Sequence, residues 1–432
     1  MKDQKTMDRL RAMIAEMQAA GPKMRTSEQN ASDYSEGLAR LGFSRRTSIR
    51  GAYFVRREEY PSFHAYGRLS LKDCFADPSA YRMLAQDDAH SEFDPCSAVF
   101  LDTETTGLAG GTGTHVFLVG LGEFTQDSFI LTQFIMPDPH DEPVMLGELE
   151  SLFRGRRWLV SFNGKAFDVP LLETRFVVNR LRPPFSDALH FDLLHAARRL
   201  WRGAYDCSLQ SLEAAVLGCE RESDIPRALI PSIFFEYLRR RDASLLAPVV
   251  EHNKNDVLAL AALLGQMCRR IKEPHKEGRT ALELINIGKL FERQGMYDES
   301  AECYSKAPYY DQGQGVRLCA LEKLATVRRK QKDYAGAASA WLEAVGQNPL
   351  DVRGFVELAK HAEHRQKDYS KAMEMCRRAM SAVSVLLSSS PSPTNHALQQ
   401  DLRKRLDRLE RKSAARAAHS SLTSRIARPA AE

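Results

Sequence analysis

Four carboxylates and one histidine in the middle of the chain have the company and spacing to do chemistry. Asp102 and Glu104 stand at i and i+2 just beyond the apolar run Ala98-Val99-Phe100-Leu101. Both can therefore project from one side of an expected strand end. Asp168 opens an expected helix directly after a second apolar run, Trp158-Leu159-Val160-Ser161-Phe162. His252 and Asp256 are four residues apart, which places both on one face of an expected helix. Acids gathered at a sheet edge repel one another and raise each other's pKa. A divalent cation relieves that repulsion, and a set of hard oxygen ligands selects Mg²⁺ or Mn²⁺ over zinc. Two such ions about 3.5–4 Å apart can activate a water and stabilise the leaving oxygen of a phosphodiester.

These residues need a scaffold, and its pattern is legible. Apolar runs predict strands over 98–101, 116–122, 129–136 and 158–162. The glycine-rich turn 107–113 between the first two suggests an antiparallel pair. It is not followed by Gly-Lys-Ser/Thr, so it reads as a turn beside the acids rather than a phosphate loop. Helices are expected over 169–181, 193–201, 208–217 (Gly218 as stop) and 245–267. In the last of these, Val249, Val250, Val257, Leu260 and Leu264 set a register that leaves Asp256 near the buried margin. Strands first and strand–helix alternation later predict an α/β domain with a mixed sheet over residues 95–272. Thr105 and Asn163, next to the acids, are candidate substrate contacts, although an Asn in a turn has conformational reasons to be there. Asp192 is equally suited to assist in the site or to cap a helix. Arg198, Arg199 and Arg202 form a local basic cluster, equally readable as a phosphate contact or a solvated helix face.

Around this domain the texture differs. Residues 1–94 read as an amphipathic helix over 1–20, a Gly-Pro linker running to Ser35, and a mixed extension. After Gly278 the strands stop and a motif repeats. Tyr297, Ser300, Tyr304 and Ala307 are echoed by Tyr334, Ala337, Trp341 and Ala344, and again by Tyr369, Ala372, Cys376 and Ala379. The offsets of 37 and 35 residues resemble the 34-residue tetratricopeptide repeat, a helix–turn–helix unit. Gly288 and Ala325 are the small residues at which a neighbouring helix would close in, and the third copy is one residue out of register in its first helix. The repeats are expected over 279–386. Residues 387–432 read as a flexible basic tail with a helical stretch over 401–412.

Composition excludes several classes. The 432 residues are 43% apolar and 27% charged, ordinary globular usage. The net charge is +5, and the segment from Asp401 onward, with nine Lys/Arg against four Asp/Glu, accounts for all of it. The body of the chain is neutral, so any phosphate-binding surface must be a local patch. Eight scattered cysteines without a C-x-x-C pair argue against a zinc ribbon or a disulfide scaffold. No apolar run approaches a membrane span, and the charged start lacks the apolar core of a signal peptide, so a cytoplasmic setting is expected.

The strings DTETTG (102–107), FNGKAFDVPLL (162–172) and HNKND (252–256) resemble the three exonuclease motifs of the DEDD superfamily. The fuller DTETTGLAGGTGTHVFLVGLG, with FDLLHAARRLW downstream, is similar to the YprB-type ribonuclease H-like domain. The resemblance implies a ribonuclease H-like fold and a metal-dependent 3′–5′ exonuclease. Its metal ligands fall on Asp102, Glu104, Asp168 and Asp256, with two Mg²⁺ or Mn²⁺ ions and His252 assisting the water. Members carry Tyr four residues before the last acid or His five before it, and here His252 stands at the tyrosine spacing. Single-stranded or unpaired ends are the expected substrate, with a protein partner on the repeats. The competing class is a non-catalytic scaffold that uses the repeats to bind a partner; the intact acid set favours the enzyme.

Overall fold

The computed structural model describes residues 35–107, 111–185, 187–221, 224–276, 278–310 and 313–426. The helix expected over 1–20, its linker up to residue 34, and residues 108–110 of the glycine run lie outside the described residues. The chain divides into two units, Met1–Glu273 and Pro274–Glu432.

The first unit is built on a seven-stranded mixed sheet, the ribonuclease H-like architecture. Its strands are β1 (Ser44–Ser48), β2 (Gly51–Pro61), β3 (Ala98–Thr105), β4 (Val116–Phe124), β5 (Ser128–Ile135), β6 (Trp158–Ser161) and β7 (Leu189–Asp192). Their order is β1-β2-β5-β4-β3-β6-β7. The first five pair antiparallel, while β6 lies parallel to β3 and β7 parallel to β6. Several elements depart from the reading of the sequence, which gave no strand to β7. Strand β3 runs on to Thr105, so Asp102 and Glu104 lie within it rather than beyond it. Residues 44–61, read as part of a mixed extension, form β1 and β2 and pair with β5. The charges Arg56, Arg57, Glu58 and Glu59 hide β2 from an apolar-run search, but they suit strands at the margin of a sheet.

Helices cover both faces; the first in the chain, α1 (Pro78–Ala85), precedes β3. On one, Leu101, Phe117 and Val119 share a core with Met145 and Leu149 of α2 (Glu142–Phe153), Leu172 and Phe176 of α3 (Asp168–Val178) and Phe234 of α5 (Ile230–Arg240). Phe117 and Phe234 stack at 4.0 Å. Helix α4 (Leu193–Trp201), numbered between these in the chain, has the expected bounds. The opposite face takes α6 (Ala247–Lys272), where Gly120 and Gly122 of β4 admit the helix at close range. The helix expected over 208–217 is an α-turn, Leu209–Leu212, continued as a π-helix, Glu213–Leu217. It stops at Gly218 in the left-handed region (φ 66°).

The second unit is all helical: α7 (Ala281–Arg293), α8 (Tyr297–Lys306), α9 (Gln314–Lys330), α10 (Tyr334–Gln347), α11 (Val352–His361), α12 (Tyr369–Ser389) and α13 (Pro393–Ile426). Tyr297, Tyr334 and Tyr369, which open the three copies of the motif, each start the second helix of a pair, and the small and aromatic residues that follow are buried. Where the third copy slips by one residue, α11 continues into a π-helical turn, Ala362–Gln366, which absorbs the extra residue. The tail differs from its expected flexibility: α13 is one long helix with Leu402 and Leu409 buried. Its basic face has a fixed counter-charge. The fully buried Glu363 carboxylate accepts from Arg405 (3.0 Å), Arg408 (3.0 Å) and Lys412 (2.8 Å).

Burial opposes ionisation of Glu363, but these cations outweigh it and hold the carboxyl down at about 2. Its contribution is thus fully present above the ordinary glutamate range and is lost as pH falls toward 2. Glu363→Gln should cost on the order of 2 kcal/mol at neutral pH. It should also flatten the acid arm of the pH–stability curve, followed by circular dichroism of the full chain; identical acid melting would show that α13 is held by its apolar contacts alone.

Candidate active site

Three chain segments deliver carboxylates to the carboxyl ends of the parallel strands, where open α/β sheets place their ligands. Asp102 and Glu104 come from β3, which outruns its neighbour: pairing with β6 stops at Phe100↔Val160. Asp168 begins α3 immediately after the β6 turn. That turn passes through Asn163 in the left-handed region (φ 67°) and is pinned by Asp192, whose carboxylate accepts from the backbone amides of Asn163 (2.8 Å) and Lys165 (3.1 Å). Asp192 also caps α4 through Leu194 N (3.0 Å). It positions the Asp168 turn and has its oxygens committed to backbone. Asp256 and His252 come from α6.

The helix–sheet contact is specified by a chain of buried amides. Asp102 lies opposite Gly120, and Gly120 opposite Gln133. Gln133 Nε2 donates to Val250 O (2.9 Å) and Asn253 Oδ1 (2.9 Å). Asn253 Nδ2 in turn donates to Asp102 Oδ2 (2.8 Å). On the other side of β3, Thr103 donates its hydroxyl to Asp168 Oδ1 (2.5 Å).

Glu104 and Asp256 are buried, and Asp102 and Asp168 half-buried. Burial, followed by the Asp256 charge, pushes Asp102 well above the usual carboxylate range. Glu104 is raised by burial and by Asp102, and Asp168 by burial against the opposing Thr103 bond. Asp256 goes the other way. Burial would raise it, but Arg227, His252 and Arg221 hold it low. Arg221 donates to Asp256 Oδ1 (2.6 Å) and Arg227 to its Oδ2. Arg227 also lowers the other three acids electrostatically, so one guanidinium serves all four carboxylates.

His252 is buried, with Nδ1 at 2.5 Å from Asp224 Oδ1. Its Nε2 has no hydrogen-bond partner and stands 3.9 Å from Glu104 Oε1 and 3.7 Å from Asp256 Oδ2. An imidazole whose Nδ1–H donates to the Asp224 carboxylate turns Nε2 toward the acids. Arg221 braces this arrangement. It bonds Glu213 (2.7 Å), which the π-turn aims inward, and Asp224 (3.1 Å), while Tyr66 donates to Glu213 (2.5 Å). Thr105 lines the cleft but donates its hydroxyl to Gly107 O (2.8 Å), and Asn163 also lines it. The cleft, about 420 Å³, holds Asp102, Glu104 and Asp168, with Arg227 and the 56% exposed Phe167 on its walls.

The sequence reading missed Arg221, Asp224 and Arg227, because they lie in a stretch of sequence with no periodic pattern. Asn253, Thr103 and Gly120 lay inside the recognised strings and were visible as neighbours of the acids. Arg199, grouped with Arg198 and Arg202 by sequence, turns away to Leu84 O (2.7 Å).

The donor set fits a hard divalent cation: oxygen ligands, no thiol, three carboxyls pushed up by burial, Asp102 and Glu104 also by neighbouring acids, and a buried orphan nitrogen beside them. Among the described residues, no three His, Cys, Asp or Glu side chains are gathered, as they stand, to enclose an ion. Arg227 places a guanidinium beside these carboxyls, and its side chain is 58% exposed.

Residues 99–268 match the RNase H superfamily, so the first unit carries a domain of that class. The chain is also 29% identical over 344 residues to "Uncharacterized protein YprB" of Bacillus subtilis (strain 168), a match that covers 77% of this chain and 81% of that protein.

A Cβ at Gly120 would lie 2.3 Å from Asn253 Oδ1 and 2.8 Å from Val257 Cγ2. Gly120→Ala should therefore cost about 1–3 kcal/mol by pushing α6 off the sheet. An unshifted thermal midpoint would show that the helix does not depend on this close approach.

Proposed function

We propose that this protein is a metal-dependent nuclease, a 3′–5′ exonuclease acting on single-stranded or unpaired nucleic-acid ends. The observation that carries the reading is the convergence of Asp102, Glu104, Asp168 and Asp256 with the partnerless Nε2 of His252. The RNase H superfamily match supports a nuclease-like chemistry. Asp102, Glu104, Asp168 and Asp256 would hold Mg²⁺ or Mn²⁺, two ions in the full reading. Bound there, the cations supply Lewis acidity and an acidified water. His252 Nε2 accepts the proton of the attacking water, and Asp224 keeps the ring in the tautomer that permits this. Arg227, released from Asp256, is placed to hold a phosphate oxygen, and Thr105 and Asn163 line the same cleft. Recessed acids favour an unpaired end, and 3′–5′ polarity yields nucleoside 5′-monophosphates.

The helical pairs of the second unit we read as tetratricopeptide-like repeats that take a protein partner. Eight free thiols suit a cytoplasmic setting, and no helix among the described residues is long and apolar enough to cross a membrane.

Full-length protein with labelled single-stranded DNA, RNA and duplexes, with Mg²⁺ or Mn²⁺ and with chelator, tests the reading. Asp102→Asn should abolish metal-dependent cleavage with circular dichroism unchanged; undiminished turnover would sink the proposal. His252→Ala should slow hydrolysis roughly 10²-fold or more while leaving metal binding largely intact. Equal rates in mutant and parent would make this histidine structural.

A further inference from the structure

A second cleft opens beside the acids. It encloses about 480 Å³ and is lined by Arg198, Arg202, Tyr205 and Asp206, and it shares Phe162, Asn163 and Arg227 with the acid cleft. Arg227 thus stands on the wall of both. We infer that this second cleft is the track along which single-stranded nucleic acid is held as its end enters the acid site; the inference rests on the nuclease reading above.

Helix α4 aims the cleft's two outer cations. Leu193, Leu194, Ala196, Ala197, Leu200 and Trp201 bury one side of it. Arg198 lies on the exposed side, and Arg202 is the exposed residue at which the helix ends. Arg199, between them, is spent on Leu84 O, so the pair that faces the cleft is selected by the helix rather than by a general basic run. Among the described residues, Arg198 has no ion pair or hydrogen bond, although two long cations at a helix end could be accounted for by the helix dipole alone. The dipole does not explain a third arginine on the same cleft from a distant part of the chain, or its continuity with the cleft of Asp102, Glu104 and Asp168. Three guanidiniums face one carboxylate, Asp206, which accepts from Ser208 Oγ at 2.7 Å.

The occupant follows from charge and shape. The chain before Asp401 is formally neutral, so a local patch of this sign must meet a local anion, and a phosphodiester backbone supplies one at every residue. Half-buried Phe162 and Tyr205 offer aromatic surface among the cations, the combination by which proteins hold single strands without reading sequence.

The test is fluorescence anisotropy of labelled oligo-dT and oligo-U dodecamers with the full chain in EDTA, where strand binding is read apart from cleavage. Arg198→Ala/Arg202→Ala should weaken binding roughly tenfold and reduce the slope of log K against log salt by about 1.4, two single-strand contacts. Arg198→Lys/Arg202→Lys should restore most of that slope, because counterion release needs charge rather than geometry. Unchanged affinity and slope in the alanine variant would overturn the track, as would equally tight binding of a blunt duplex. Failure of the nuclease reading appears elsewhere, as parent protein that binds these strands but does not cut them with Mg²⁺ or Mn²⁺.

Discussion

The site depends on how closely α6 approaches the sheet. Two glycines on β4, Gly120 and Gly122, remove the side chains that would hold it away, and Asn253 and Val257 fill the space. Only at that distance does Asn253 reach Asp102, Gln133 reach Asn253, and Asp256 and His252 come within range of Glu104. The apolar burial of α6, from Val249 through Ile271, drives the docking, and the amide chain fixes its position. A helix one side chain further out would leave the same five residues in the sequence and no site.

Charge is the second constraint. Carboxylates gathered this closely destabilise the protein unless something positive stands among them, and Arg221 and Arg227 take that role. They differ in kind. Arg221 is buried and tied to Glu213, Asp224 and Asp256, so it is part of the frame that orients His252. Arg227 is mostly exposed and holds Asp256 from outside, on the wall shared with the arginine-lined cleft. The one is fixed by its buried partners and the other, among the described residues, is held by Asp256 alone at the rim.

In the second unit, too, one buried charge organises helices. Glu363 sits in the π-turn where the third repeat departs from register, and it collects three cations from α13. The extra residue that weakens the repeat pattern thus carries the carboxylate that ties the last long helix to the array.

Much of this was legible from residues alone. The apolar runs and their separators marked β3 through β6 and α4, the repeated tyrosines marked the starts of α8, α10 and α12, and the order of acidic motifs singled out Asp102, Glu104, Asp168, Asp256 and His252. Local periodicity and near-neighbour spacing are properties of the chain itself, so they survive in the sequence. The rest required partners distant along it. Strand β2 is recognisable only by its pairing with β5, and the helical tail only by Glu363. Arg221, Asp224 and Arg227 lie in a stretch of sequence whose residues have no period, and they acquire a role when α6 brings Asp256 and His252 against them. Sequence determined which side chains could do the chemistry. Tertiary structure decided which charges neutralise them, which way His252 faces, and that Arg199 turns to Leu84 while Arg198 and Arg202 face the cleft, because each of these is a contact between segments that no spacing along the chain encodes.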